Sequence, residues 1–210
     1  MRLAELKGRY DTIYSLGDLC LPAIQMELND LRPFAGPLDW MQSQVLPDVI
    51  RLLANRFAGF MDYSHLEVIN KATDKLYYVK EKEYNIYSNH DFYTHNNFPP
   101  ELNTYPEVKA KYDRRVARFL EKAALSEQIL FIRTEATPEL TKQLTDVLSS
   151  LVAGSYRLLV VNHTPVAGIV EQDWGLPNVC AIQMPNDEIW QGNNQLWKQI
   201  FQGIELKDEL

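Results

Sequence analysis

The sequence has 210 residues and 46% hydrophobic residues, which is the size and composition of one ordinary globular domain. Its formal net charge of −7 excludes the basic surface expected of a nucleic-acid-binding protein. The two cysteines, Cys20 and Cys180, are too few for a disulfide framework and do not have the spacing of a zinc site. We therefore expect a chain that folds around a hydrophobic core with no metal and no cofactor.

The sequence also lacks the signals of a membrane or secreted protein. No apolar run approaches the ~18 residues that a membrane span needs. Charged residues interrupt the apolar ones over residues 1–7, unlike a signal peptide. The last four residues, Lys207-Asp208-Glu209-Leu210, match a lumenal retention signal, and we interpret this as a chance match because no signal peptide precedes it. We expect a cytoplasmic protein without a membrane partner.

The first part of the chain predicts short strands and two helices. Residues 10–16 are rich in β-branched and aromatic side chains and predict a strand. Apolar residues at helical spacing follow over residues 19–31, where Pro22 fits only in the first turn of a helix. The next predicted elements are a helix over residues 45–57 and strands over residues 76–79 and 84–87.

The second part of the chain carries stronger patterns. Residues 106–124 form an apolar stripe at helical spacing, and we interpret the basic residues on the other face, Arg115 among them, as solvated. A compact apolar strand is predicted over residues 129–132. Thr137 and Gly154 mark the start and end of a helix over residues 138–152. Strands over residues 156–161 and 179–184 and a helix over residues 193–203 complete the prediction.

Continuous apolar strands that alternate with helices are typical of a parallel sheet covered on both faces. We therefore predict a single α/β domain over residues 1–210, with a Rossmann-like three-layer fold and a mostly parallel central sheet. Residues from about 55 to 105 are a candidate lid or cap insertion, since long irregular segments in compact domains are usually functional.

Polar side chains follow four of the predicted strands. In parallel sheets, ligands bind at the carboxyl ends of the strands, which all lie at one edge. We therefore expect one cleft at this edge to contain Gly17, Asp18, Cys20, His90, Asp91, Arg133, Asn162 and His163.

Cys20 is the candidate nucleophile. It lies in the first turn of a predicted helix, where the dipole lowers the pKa of a thiol and backbone N–H groups can hold an oxyanion. The alternative is that Cys20 only fills the corner between strand and helix. His90 is the candidate base, with Asp91 fixing its tautomer, and His163 is the rival base. Cys180 lies inside a predicted strand and is assigned to the core.

The remaining candidates are assigned to substrate binding. Arg133 ends an apolar strand and needs a partner there, either a substrate anion or an internal carboxylate such as Asp18 or Asp39. Trp40 forms a wall of the pocket or packs in the core. The predicted substrate-binding residues are Asp18, Asp39, Trp40, Arg133, Asn162 and His163.

Several segments, taken in order, resemble a bacterial family of unknown function described as papain-like cysteine peptidases. They are YSLGDLC at 14–20, GPLDW at 36–40, SNHDF at 88–92, ILFIR at 129–133, VVNH at 160–163 and WQGN at 190–193. The resemblance spans nearly the whole chain. It implies that Cys20 is the nucleophile and His90 the base.

The sequence predicts a cysteine-dependent hydrolase (peptidase- or amidase-like) or an acyltransferase, with a Cys-His site acting on a small-molecule or peptide substrate. Two alternatives remain open. One is a non-catalytic domain that binds small molecules or glycans or another protein. The other is a non-thiol esterase that uses Asp18 and His163 while Cys20 only packs. The oligomeric state is not predicted.

Overall fold

A computed structural model describes residues 1–207 of the chain. The match to a retention signal lies outside the described residues except for Lys207. The helices are α1 (Leu21–Leu28), α2 (Leu46–Ala54), α3 (Tyr105–Leu125), α4 (Pro138–Leu151) and α5 (Asn194–Phe201). The strands are β1 (Gly8–Tyr10), β2 (Thr12–Ser15), β3 (Met41–Gln42), β4 (Leu66–Thr73), β5 (Leu76–Glu81), β6 (Ile86–Ser88), β7 (Gln128–Thr134), β8 (Ser155–Thr164), β9 (Val170–Gln172), β10 (Val179–Pro185) and β11 (Ile204–Leu206).

The central sheet has five strands in the order β2-β7-β8-β10-β9. The first four are parallel, and only β9 runs antiparallel to its neighbour. This confirms the predicted α/β class with a mostly parallel sheet. The parallel strands follow the order of the chain, so the sheet lacks the reversal of strand order that is typical of a doubly wound Rossmann fold.

Both faces of the central sheet are buried, as continuous apolar strands require. Tyr14 and Phe131 belong to a buried cluster that includes side chains of α2, α3 and α4. Leu130 and Leu159 point to the other face and pack with α1 and α5. Neighbouring residues of a strand thus alternate between two helical layers. Among residues 1–207, no helix combines the length and the apolar character needed to cross a membrane.

A second sheet, antiparallel and with the order β3-β6-β5-β4, lies outside the central one. Our placement of His90 after a strand of the parallel sheet was wrong, because His90 follows β6 of this second sheet. Val79, Ile86 and Phe92 belong to the same buried cluster as Phe131, so the two sheets share a core. The assignment of this region as a lid stays a prediction.

The two sheets meet at the carboxyl edge of β2. The backbone N–H of Ser43, directly after β3, donates to the carbonyl of Asp18 at 2.7 Å. The Arg133 guanidinium donates to the carbonyls of Leu16 and Ser43 at 2.8 and 2.9 Å. Gly17 permits this approach because it has a φ of +84° and a Cβ there would lie 2.0 Å from the Ser43 hydroxyl oxygen. β3 is therefore fixed against the predicted site.

Helix α3 corrects our interpretation of its basic face. The guanidinium of Arg115 lies 5.2 Å from the ring centre of Tyr112, and that of Arg118 lies 4.7 Å from the ring centre of Phe34. Arg114, by contrast, is exposed. One part of the face is solvated and the other packs on aromatic rings, which cover the apolar stem of arginine while attracting its charge.

Candidate functional site

Three predicted residues come together at the carboxyl edge of the central sheet: Asp18 after β2, Arg133 in β7 and His163 in β8. The fully buried Arg133 has its Nη2 3.9 Å from Oδ1 of Asp18. Burial lowers the pKa of Arg133 to about 10, opposed by the charges of Asp18 and Glu135. Burial also raises the pKa of Asp18, against the attraction of Arg133; Glu135 adds to this rise and His163 opposes it. The charges of these four groups influence one another, and we call them the edge cluster: Asp18, Arg133, Glu135 and His163.

Within this edge cluster, Glu135 holds His163 in place. The sequence analysis assigned no role to Glu135. Nδ1 of His163 lies 2.6 Å from Oε1 of Glu135, and the backbone N–H of His163 donates to the same oxygen at 3.1 Å. Nε2 of His163 is buried without a hydrogen-bond partner among residues 1–207. A carboxylate that fixes the tautomer and orientation of an imidazole is one feature of a general base. The position of Glu135, next to a strand end, is the signal that could have revealed it.

Asn162 does not have the free amide that a substrate ligand needs. Its Oδ1 accepts from the backbone N–H of Ala136 at 2.9 Å, and its Nδ2 donates to the carbonyl of Ala136 at 2.8 Å. Both atoms of the amide therefore fasten the connection between β7 and α4. Asn162 braces the loop that carries Glu135.

Cys20 is half-buried at the residue before α1 and makes no side-chain hydrogen bond to the helix. Burial raises the pKa of its thiol, which is opposite to the lowered pKa that we expected at a helix N-terminus. Burial removes more solvation free energy from the charged thiolate than the backbone hydrogen bond at Cys20 restores. Cys180 is fully buried, as predicted, and burial raises its pKa to about 12.

His90 and Asp91 lie in a second group of residues, around Trp40. The rings of His90 and Trp40 meet edge to face with their centres 5.6 Å apart. Burial lowers the pKa of His90, and Asp91 opposes this change. The Asp91 carboxylate accepts from the Ser88 hydroxyl, the Lys111 ammonium and, at 2.8 Å, the Tyr112 hydroxyl. Among residues 1–207 it is these donors, and not the His90 imidazole, that bind Asp91.

Asp39 and Arg32 form a second set of contacts around Trp40. Asp39 accepts from Nε of Arg32 at 2.7 Å and from the backbone N–H of Gly36 at 2.8 Å. The Arg32 guanidinium lies 5.0 Å from the ring centre of Trp40. Both hydrogen bonds use Oδ2 of Asp39, whereas its Oδ1 is buried without a hydrogen-bond partner among residues 1–207. Trp40 lines a cavity of about 290 Å³ together with His90, Asp91, Lys111 and Arg115, which we call the Trp40 cavity.

Strand β3 connects the Trp40 cavity to the edge cluster along the backbone. Trp40 directly precedes β3, and Ser43, directly after it, is bound to the carbonyl of Asp18. Three residues of extended chain span about 10 Å, so the backbone of Trp40 lies within about that distance of the backbone of Ser43. Among residues 1–207, no group of three His, Cys, Asp or Glu side chains has the geometry to hold a metal ion.

Comparison with known families places these residues in context. Residues 11–165 match the family described as "Putative papain-like cysteine peptidase (DUF1796)". The chain belongs to this family. The matched segment contains every candidate from Asp18 to His163 and both members of the His163–Glu135 pair. Its description supports a cysteine hydrolase without assigning catalytic residues.

A relative comes from a virus. Uncharacterized protein R408 of Acanthamoeba polyphaga mimivirus is 26% identical over an alignment 219 positions long, which includes 91% of this chain and 97% of the viral protein. This similarity gives no support to the bacterial origin that the resemblance implied. No solved structure matches the chain.

Proposed function

We propose that this protein is a cysteine-dependent hydrolase or acyltransferase with Cys20 as its nucleophile. The main observation behind this proposal is the position of Cys20. It is the more accessible of the two cysteines, and it lies two residues after Asp18 of the edge cluster. Membership of a family described as cysteine peptidases supports the same chemistry. Cys180 cannot serve, because it is fully buried within β10.

The contacts favour His163 over His90 as the base. His163 has one nitrogen fixed by Glu135 and the other without a partner among residues 1–207. It also lies close enough to Asp18 to influence the titration of that carboxyl. His90 touches Trp40, and the adjacent carboxylate of Asp91 is bound by other donors. A base needs a fixed tautomer as well as proximity, and Glu135 provides that for His163.

The proposed reaction is acyl transfer through a thioester. The Cys20 sulfur attacks the carbonyl carbon of the substrate while the base takes the thiol proton. The tetrahedral intermediate then collapses, the bond to the leaving group breaks and the base returns the proton to that group. Water or another acceptor attacks the thioester, the base takes its proton, and the acyl product leaves as Cys20 recovers its hydrogen. Because burial raises the pKa of Cys20, the thiol must be deprotonated by the base in each cycle.

The test is the rate at which iodoacetamide labels Cys20 near neutral pH in the native protein and in two matched variants, His163→Asn and His90→Asn. We expect His163→Asn to slow labelling about tenfold or more, since general bases contribute large factors. We expect His90→Asn to leave the rate unchanged. Thermal unfolding of each variant separates loss of the base from loss of the fold, and Glu135→Gln provides a second way to disturb His163.

Other outcomes identify other functions. Slower labelling in His90→Asn alone would assign the base to His90, as the family resemblance implies. Equal rates in all folded variants would overturn the thiol proposal. The alternatives would then be a non-thiol esterase based on Asp18 and His163 or a binding domain.

A further inference from the structure

The Trp40 cavity has an uneven balance of charge. Its lining contains one carboxylate, Asp91, and two cationic side chains, Lys111 and Arg115. Lys111 forms an ion pair with Asp91, so these two charges balance each other. The carboxylate also accepts from Ser88 and Tyr112. This leaves Arg115 as the cation of the cavity whose charge no lining carboxylate balances.

Arg115 also has an unsatisfied donor. Its Nη1 is buried and has no hydrogen-bond partner among residues 1–207. The guanidinium lies 5.2 Å from the centre of the Tyr112 ring. An aromatic ring has no lone pair that could accept a hydrogen bond from the guanidinium N–H groups. A buried donor without an acceptor is costly, and a charged one more so. Because Nη1 has no exposed surface, a ligand in the cavity would meet the part of Arg115 that lines it, and an anionic acceptor suits that cationic side chain best.

The shape and composition of the cavity narrow the class of anion. One cation is unbalanced, which matches the single charge of a carboxylate better than the double charge of a phosphate monoester. A guanidinium can donate two parallel hydrogen bonds to a carboxylate. The aromatic rings of Trp40 and His90, which meet edge to face, line the same cavity as Arg115. A planar group attached to the carboxylate can pack there.

We propose that the Trp40 cavity is a subsite that binds a carboxylate through Arg115, with the adjoining apolar part of the ligand against Trp40. Because the backbone of Trp40 lies within about 10 Å of Ser43, which is bound to Asp18, we place this subsite on the same side of the protein as Cys20, two residues after Asp18. The substrates of the proposed hydrolase are then acidic acyl compounds or peptides that carry a carboxylate near the bond to be broken. This assignment of substrates rests on the proposed function, whereas the binding of a carboxylate by Arg115 does not depend on it.

The experiment measures binding of three matched probes by nuclear magnetic resonance: benzoate, its neutral analogue benzamide, and the dianion phenyl phosphate. The observed signal is the Trp40 indole N–H, assigned with Trp40→Phe. We expect benzoate to shift this signal and to bind about tenfold more tightly than benzamide, as a charge-assisted contact requires. Equal binding of benzoate and benzamide, or no benzoate binding, would overturn the proposal. Tighter binding of phenyl phosphate would overturn the choice of a carboxylate.

Variants of α3 provide the matched controls. Arg115→Gln should weaken benzoate binding about tenfold, Arg115→Lys should weaken it less, and Arg114→Gln on the exposed face should leave it unchanged. An unchanged affinity in a folded Arg115→Gln protein contradicts the proposal. Cys20→Ser separates the two hypotheses, because it should abolish any thiol chemistry and leave benzoate binding intact.

Discussion

Nδ1 of His163 and Oε1 of Glu135 lie 2.6 Å apart, at the ends of two neighbouring parallel strands. The same carboxylate oxygen accepts the backbone N–H of His163. A single glutamate thereby sets both the position of the chain and the orientation of the ring. The pair exists because β7 and β8 end side by side, and nothing in the local sequence of either strand specifies it.

Replacement of Glu135 should reveal this double contact in the stability of the protein. We expect Glu135→Ala to lower the free energy of unfolding by about 1–2 kcal/mol, since two donors of His163 lose their acceptor. Glu135→Gln keeps an acceptor oxygen and should lose less. Urea unfolding measures both, with the exposed Glu67→Ala as control. Equal losses in the two Glu135 variants would contradict the double contact.

The two cysteines should differ in reactivity. Brief iodoacetamide labelling of the native protein, mapped by mass spectrometry, should modify Cys20 and spare Cys180, which is fully buried and has a pKa of about 12. Because the pKa of Cys20 is raised from 9.0, its labelling should still increase as the pH passes 9.0. Labelling in urea, where both thiols are free, is the control. Preferential labelling of Cys180 in the native state would refute the placement of Cys20.

Arg133 should be far more important for folding than Arg114. Arg133→Ala removes hydrogen bonds to Leu16 and Ser43 and leaves the buried Asp18 without its cation. We expect a loss of about 3 kcal/mol or more, as found when one partner of a buried ion pair is removed. Arg114→Ala on the exposed face should stay within about 0.5 kcal/mol. Chemical denaturation compares the two, and similar small losses would disprove the buried role of Arg133.

Glu81 should give the stability a recognisable dependence on pH. It is buried, accepts the backbone N–H of Tyr84 at 2.7 Å, and burial raises its pKa from the ordinary value of 4.5. A carboxyl whose pKa is raised in the folded state stabilises the protein below its unfolded pKa, and this contribution is lost as the pH rises through the folded pKa. Glu81→Gln removes the effect.

The stability of Glu81→Gln relative to the native protein should therefore improve as the pH rises from below 4.5 to neutrality. Urea unfolding at a series of pH values measures this difference. The exposed Glu67→Gln should show no such trend. A constant difference for Glu81→Gln would show that its carboxyl titrates normally.

Local sequence determined most of the elements. The helix predicted over residues 106–124 is observed as Tyr105–Leu125, and the one over 138–152 as Pro138–Leu151, with Thr137 accepting from the N–H of Leu140. Periodic apolar residues and caps act within a few residues of each other, so the sequence records them directly. The meeting of Asp18, Arg133 and His163 was also predictable, because parallel strands bring their carboxyl ends to one edge.

Only the tertiary structure decided which side chains are available for function. The antiparallel sheet that carries His90 depends on strand pairs as distant as Met41 and Ser88. Asn162 in β8 is bound to Ala136 of the connection between β7 and α4, and Asp91 is bound to Lys111. Arg115, assigned from periodicity to solvent, lines a cavity and has a buried donor with no partner among residues 1–207. Hydrogen bonds and desolvation depend on neighbours brought together by the fold. Periodicity records which face of an element is apolar, but not which polar groups it will meet.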